Sequence, residues 1–250
     1  MPDNAFFKIL DSVDSTNNYA MAKVRQGMAK HGMAFVTKEQ TAGKGQRGKT
    51  WRSISGQSIA MSLILKMDML RIDQQFYLSI CMALAANDFL NKYSGGQTTI
   101  KWPNDLYWCD RKAAGVLIEN VVSTGQLQTR NWQWAVVGIG ININQTDFDA
   151  SLPNPVSLKQ ITGKEYDVIV LAEELYYLMM KWFDKLLEKN YSELHAAYLQ
   201  QLYKKNEKVR LKKENVVFET VIKSVNTQGQ LITQDAIERV FNVGEIEWIL

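Results

Sequence analysis

Two cysteines and two histidines in 250 residues leave this chain short of the side chains that zinc sites and disulfide frameworks need. Cys81 lies in an apolar helical pattern and Cys109 follows Trp108 beside an expected turn. Neither has a partner at metal-ligand spacing, so both read as packing residues, and two free thiols fit a reducing cytosol. Long hydrophobic runs are also missing. The longest, near Ile59 to Leu65 and Ala135 to Ile143, are the length of strands, far from the roughly 18–20 residues a membrane helix requires. The start, MPDNAFFKIL, carries Asp3 and no basic stretch before a long apolar core, which argues against a signal peptide. Charge of one sign is scarce: 29 Lys and Arg face 26 Asp and Glu, a net of +3. That excess would not by itself hold the chain on nucleic acid or a membrane. Repeats and low-complexity segments are absent.

What is there resembles an ordinary soluble globular protein, 46% hydrophobic and 22% charged. The length suits one large domain, or a domain with a small appendage. FFKIL (Phe6 to Leu10) and AFVTKEQ (Ala34 to Gln40) read as strands around a helix that Ser15 or Thr16 could cap. SIAMSLILKM (Ser58 to Met67) has a buried-strand pattern, and Gln74 to Tyr93 a helical one ended by Gly95-Gly96. Further strands are expected at TTIKWPNDLYW, at Lys112 to Val122 with Gly125 in the following turn, and at Trp132 to Ile143. Helices are expected at Val168 to Lys189 and Tyr191 to Tyr203. After Lys204 the pattern changes to short alternating runs with a turn at NTQGQ, the mark of a small β-barrel-like module. A domain boundary is expected near residues 203 to 206.

Four segments are candidates for chemistry. GKGQRGKT, Gly43 to Thr50, matches the phosphate-loop pattern literally, but that motif must open a helix, and WRSISGQS after Thr50 has no helical period. Two readings remain: a glycine-rich cationic loop, with Lys44, Arg47, Lys49 and Arg52, suited to closing over a phosphate or adenylate, or a solvated basic surface loop. In KWPND, Lys101 ends a buried strand, where an ammonium is costly without an anionic partner. The alternative is a hairpin turn with a snorkelling lysine. GIGIN places Gly138 and Gly140 inside an apolar strand, which implies either close backbone approach or a β-bulge. DSTN, Asp14 to Asn17, can line a pocket or merely cap a helix.

The order of these segments is more specific than any one of them. DSTN, QTAGKGQRG, KWPND, DRKAAGVLIE and VVGIGININ together resemble the biotin protein ligase family over about residues 6 to 250. KWPND followed by K-x-A-G-h-L-x-E, with h apolar, is the most specific part. The resemblance implies an α+β fold: a mixed, mostly antiparallel sheet with flanking helices, of class II synthetase or biotin–lipoate ligase type, plus a C-terminal SH3-like β module. The catalytic domain would span residues 1–203 and the β module 204–250. It implies ATP and Mg²⁺ as cofactors, biotin as substrate and a biotin carboxyl carrier protein or domain as partner. Biotin would become biotinyl-5′-adenylate and then be passed to a carrier lysine. A lipoate- or octanoate-transferring relative of the same fold is the alternative.

By the same resemblance Ser15, Thr16, Asn17, Gln40, Gly43, Lys44, Gly45, Gln46, Lys101 and Gly115 would contact biotin. Lys44, Arg47, Lys49, Trp51, Asn104 and Asn142 would contact ATP, and Lys101, Lys112 and Arg47 would act in catalysis. Lys101 corresponds to the lysine at the biotin carboxylate and adenylate phosphate, Lys112 to a second lysine at the activated centre. No protein ligand for a metal is assigned. Two departures stand out. Gln46 occupies a place where the family loop commonly has arginine, which puts the phosphate contact in question. No helix-turn-helix precedes the strand at Phe6, so a monofunctional, cytoplasmic enzyme without specific DNA binding is expected. The strand after Trp132 could offer a sheet edge for a homodimer.

Overall fold

The structure, a computed structural model, describes residues 6–124 and 130–249. Seven strands build the main sheet: β1 (Phe7–Val13), β2 (Ala34–Gln40), β3 (Ser58–Lys66), β4 (Thr98–Lys101), β5 (Asp105–Trp108), β6 (Arg111–Thr124) and β7 (Arg130–Asn142). Their spatial order is β1-β2-β3-β7-β6-β5-β4. Among the described strands, β1 and β2 are the one pair that runs parallel, across the helix α1 (Thr16–Arg25). The helices α2 (Gln75–Ser94), α3 (Leu158–Thr162), α4 (Val168–Leu187) and α5 (Tyr191–Gln200) complete the larger part. A second, antiparallel sheet of β8 (Lys208–Lys213), β9 (Val216–Val225), β10 (Leu231–Gln234), β11 (Glu238–Phe241) and β12 (Glu247–Ile249) follows, in the order β11-β10-β9-β8-β12. This is the α+β architecture with a small C-terminal β module that the sequence implies.

Strand alternation sorts the main sheet into two faces. Ile59, Met61, Leu63 and Leu65 of β3 and Val137, Ile139 and Ile141 of β7 point to the main core, which also takes in the buried faces of α2 and α4. The opposite face carries Ser62, Gly138, Gly140, Gly115 and Glu119, with Leu117 and Ala60 among them, and its far end is apolar. There Ile64 and Val136 pack with Phe35 and with Ala20 of α1. One face of the sheet is therefore filled, and the other is left partly open for a ligand. The β4 edge is covered by the segment that follows α5: Ile100 and Tyr203 bond through their main chains, as do Ile100 and Gln201. The β module is docked by its NTQGQ turn, where the Trp102 indole donates to the Gly229 carbonyl at 2.9 Å and Phe76 lies against Gly229.

Several expectations need correction. Cys109 is exposed, with φ 52°, because it sits in the tight turn between β5 and β6; only Cys81 is a packing residue. The strand beginning near Trp132 is internal from Trp134 onward, flanked by β3 and β6, and offers no free edge there. Gly138 and Gly140 pair in unbroken register on both sides, so the bulge reading of GIGIN fails. Ser15 holds the cap position of α1 without a side-chain capping bond. The short helix α3 was not anticipated, although Ser157 and Gln160 form a capping box that S-x-x-Q signals. The turn assigned to Gly125 lies outside the described residues. No helix among the described residues is long and apolar enough to cross a membrane.

Candidate active site

The site grows from one row of the sheet. Lys101 pairs with Asp105, Asp105 with Gly115, Gly115 with Gly140, and Gly140 with Ala60. All five lie on the open face. Lys112, three residues before Gly115, should face the other way. A register shift between β5 and β6 pairs Leu106 with Ala114 but Tyr107 with Lys112, leaving Ala113 as an extra residue. That bulge turns Lys112 onto the open face. Its ammonium then meets Asp105 at 2.7 Å, and a Cβ on Gly115 would lie 3.3 Å from Asp105 and 3.5 Å from the Lys112 ammonium.

Lys101 is 8% exposed. Its ammonium donates to the Tyr107 hydroxyl at 3.0 Å and lies over the rings of Tyr107 and, from the β module, Trp248. Burial pushes its pKa down to about 8; Asp105 opposes this, while Lys112 and Lys49 add repulsion. Burial, with help from Asp105, pushes the Tyr107 hydroxyl well above its ordinary value, so the phenol stays protonated. Two ammonium groups, one buried and one ion-paired, thus share a carboxylate. An anionic ligand placed between them would relieve that shortage of negative charge.

Along the same face lies a buried polar cluster. Ser15, Thr16 and Asn17 open α1 and are all buried. The Thr16 amide donates to Gln40 Oε1 at 2.9 Å and its hydroxyl to the same oxygen at 3.2 Å. Asn17 Nδ2 donates to Glu119 at 2.8 Å. Ser62 lies within bonding distance of both the Thr16 hydroxyl and Asn17 Oδ1, and its single proton serves one of them. Gly138 makes room for Asn17: a Cβ there would fall 2.2 Å from Asn17 Oδ1.

Above this face folds the glycine loop. It leaves β2 by bonding Thr41 to Val13 and Ala42 to Asp14. Gly45 donates to Lys49 at 2.7 Å and Trp51 to Gly43 at 2.9 Å, which closes a small hairpin. Gly43 has no room for a side chain, since a Cβ would lie 2.4 Å from the Trp51 carbonyl, and Gly48 adopts φ 78°. No α-helix follows Thr50, so the phosphate-loop reading is excluded. The Trp51 ring lies directly on Gly140, where a Cβ would come within 2.4 Å. Loop residues Gln40 to Gly45 and Arg47 to Ser53, together with Leu117 and Glu119, line a cleft of about 930 Å³; Gln46 does not line it. Lys44 reaches Glu119 at 3.8 Å.

The structure therefore gathers Thr16, Asn17 and Gln40, with buried Ser15 next to them in the chain, into one polar cluster, and sets Gly115, Lys101 and Lys112 on the same sheet face, over which Gly43 to Trp51 fold. Three expected residues are placed differently. The Asn104 amide donates to the Val116 carbonyl, and the Asn142 amide to Val156 at 3.1 Å, so both hold main chain. The Arg47 guanidinium packs against Gly244 of the β module, where it occupies the space a side chain would need. Sequence reasoning missed Ser62, Tyr107 and Trp248, and it included Asp105 and Glu119 in its motifs without giving them a role. A charged residue in an apolar strand was a signal for Glu119.

A buried polar cluster, a pair of cations and a covering glycine loop share one sheet face, an arrangement suited to holding a polar ligand with an anionic group beside the cations. The chain belongs to the biotin/lipoate A/B protein ligase family, whose model matches residues 9–142. It is 30% identical to the biotin–[acetyl-CoA-carboxylase] ligase of Paracoccus denitrificans, over 90% of this chain and 92% of that one. It is 28% identical to the bifunctional ligase/repressor BirA of Escherichia coli K12, over 98% of this chain and 74% of that one. Its fold is similar to that of a biotin protein ligase from Aquifex aeolicus solved with biotin and ATP: TM-score 0.78 and 23% identity, covering 97% of this chain and 98% of that one.

Proposed function

We infer that this chain is an ATP-dependent biotin–protein ligase. A biotin carboxylate oxygen attacks the α-phosphorus of ATP, forming biotinyl-5′-adenylate and expelling pyrophosphate. The amine of a lysine on a biotin carboxyl carrier protein then attacks the acyl carbon, and AMP leaves. The observation that supports this reading is the single row of Lys101, Asp105 and Gly115 on the sheet face that also carries a buried cluster of hydroxyl and amide groups, which is the ligand pocket in this reading. Such a pocket suits a ureido ring, which both donates and accepts hydrogen bonds, better than the apolar dithiolane of lipoate. The Trp51 indole nitrogen and Ser58 hydroxyl, buried without protein partners, also suit a polar ligand.

In this reading Ser15, Thr16, Asn17 and Gln40 hold the ring, and Gly115 lets the tail lie close to the sheet. Lys101 and Lys112 offset repulsion between the carboxylate and the triphosphate, and stabilise charge on the transferring group. Asp105 orients Lys112. The Gly43 to Lys49 loop, with Trp51 braced on Gly140, excludes water from the labile anhydride. Lys44 and Lys49 supply loop cations near the phosphates, with Arg47 reaching the β module. Asn104 and Asn142 act by holding the strands that carry the lysines. Among the described residues no three His, Cys, Asp or Glu cluster as a metal site. Mg²⁺ bound with ATP would supply neutralisation of phosphate charge.

Incubation with ATP, biotin and a carrier domain, read by streptavidin blot, tests the reading; no label on the carrier would sink it. ATP–pyrophosphate exchange driven by lipoate or octanoate but not by biotin would favour the alternative. We propose further that the enzyme works in the cytoplasm and that residues 1–203 and 204–250 form the catalytic and β domains. Support for that boundary is that α5 ends at Gln200 and β8 begins at Lys208.

Gln46 gives a second test. A neutral amide grips a phosphate less firmly than a bidentate guanidinium. Gln46→Arg is therefore expected to lower biotinylation of a bystander protein, at fixed enzyme concentration, by about tenfold, the excess of a charge-assisted hydrogen bond over a neutral one. Equal labelling by the two enzymes would remove Gln46 from adenylate retention.

A further inference from the structure

The Lys101 ammonium is short of ordinary partners. Its nearest carboxylate, Asp105, is held by Lys112 at 2.7 Å, and its hydrogen bond goes to a neutral phenol. What surrounds it instead is aromatic. Its nitrogen lies 4.5 Å from the ring centroid of Tyr107 and 5.2 Å from that of Trp248, both inside the range of cation–π attraction. Trp248 belongs to β12, where it pairs with Leu211 of β8, and Tyr203 steadies the arrangement at 5.2 Å from Tyr107 and 5.7 Å from Trp248. Tyr203 is itself fixed by a 2.6 Å bond to Asp110. The charged groups around Lys101 are thus Asp105, Lys112 and Lys49, with the Tyr107 hydroxyl in direct contact.

We propose that Trp248 is a positioning residue of the adenylation site: its indole face caps the Lys101 ammonium, keeping it a cation and aiming it at the reacting carboxylate and phosphate. The C-terminal module is then a working wall of that site. The proposal rests on the role given to Lys101 above. It differs from a packing role in one respect, since a ring face attracts a cation and an alkyl chain of similar bulk does not.

The test is a titration of the Lys101 side chain itself. In protein labelled with ¹³C at the lysine ε-carbon, the Lys101 resonance is assigned by its loss in Lys101→Arg. Trp248→Met fills the space without a ring, and Trp248→Phe restores one. Trp248→Met should titrate about one pH unit lower than the parent, the shift a desolvated cation–π contact supports. Trp248→Phe should recover most of it. The alkaline limb of kcat/KM for biotin-dependent pyrophosphate exchange should move in parallel, with thermal midpoints little changed. A Lys101 midpoint that is unmoved or raised in Trp248→Met, or equally lowered in both variants, overturns the cap. Full exchange activity in Lys101→Ala beside a clear Met-variant shift would instead overturn the adenylation role while leaving the cap in place.

Discussion

Replacing Lys101 by alanine is expected to slow biotin-dependent ATP–pyrophosphate exchange on the order of 10²–10³-fold, the usual loss when one preorganised electrostatic stabiliser is deleted. Lys101 is buried, so its field is not diluted by water as that of a surface lysine would be. Alanine also leaves the row without a cation, and Lys112 beside it is still paired to Asp105. The same residue predicts a pH dependence. A lysine whose pKa is lowered to about 8 loses its proton earlier on the alkaline side than a free lysine. Exchange measured as kcat/KM, which reports the free enzyme, should therefore fall as pH rises through about 8. In kcat the fall should come at higher pH, because bound carboxylate and phosphate stabilise the ammonium. Lys101→Arg should lack this alkaline limb. Near-normal exchange in Lys101→Ala would defeat the assignment.

The large elements were legible because each has a strong local cause. The alternation of SIAMSLILK, the helical spacing from Phe76 to Phe89 and the Gly95-Gly96 stop are properties of neighbouring residues, and the structure follows them closely. The glycine loop and the two lysines were also visible, through their order along the chain. What was not legible depends on contacts between distant segments. By strand parity Lys112 and Gly115 belong on opposite faces, and only the bulge at Ala113 brings them together. Trp248 looks like one more aromatic in a short strand until its ring is found against the Lys101 ammonium. Ser62 reads as a polar interruption of a buried strand. Its parity with Gly138 and its contact with Thr16 and Asn17 give it a place in the pocket.

Gly138 provides the sharpest probe of that pocket. Gly138→Ala is expected to raise the KM for biotin in exchange by about 10–100-fold, the effect of leaving a buried polar partner unsatisfied. The strand cannot yield to the new methyl group, because β7 is bonded to β3 at Ser62 and to β6 at Leu117 on either side of the glycine. The added carbon would lie 2.2 Å from Asn17 Oδ1 and 2.8 Å from its Cγ, so Asn17 must turn away. Turning breaks its bond to Glu119 and removes the acceptor offered to Ser62. The lysines stand farther along the sheet and are untouched. The KM for ATP, and the exchange rate at saturating biotin, should therefore change little. A double mutant separates this from general damage to β7. If Asn17 is the group displaced, Asn17→Ala with Gly138→Ala should bind biotin no worse than Asn17→Ala alone, since the methyl group then has space to occupy. Additive losses in the double mutant would place the injury in the strand, and a wild-type biotin KM in Gly138→Ala would remove Asn17 from the biotin pocket.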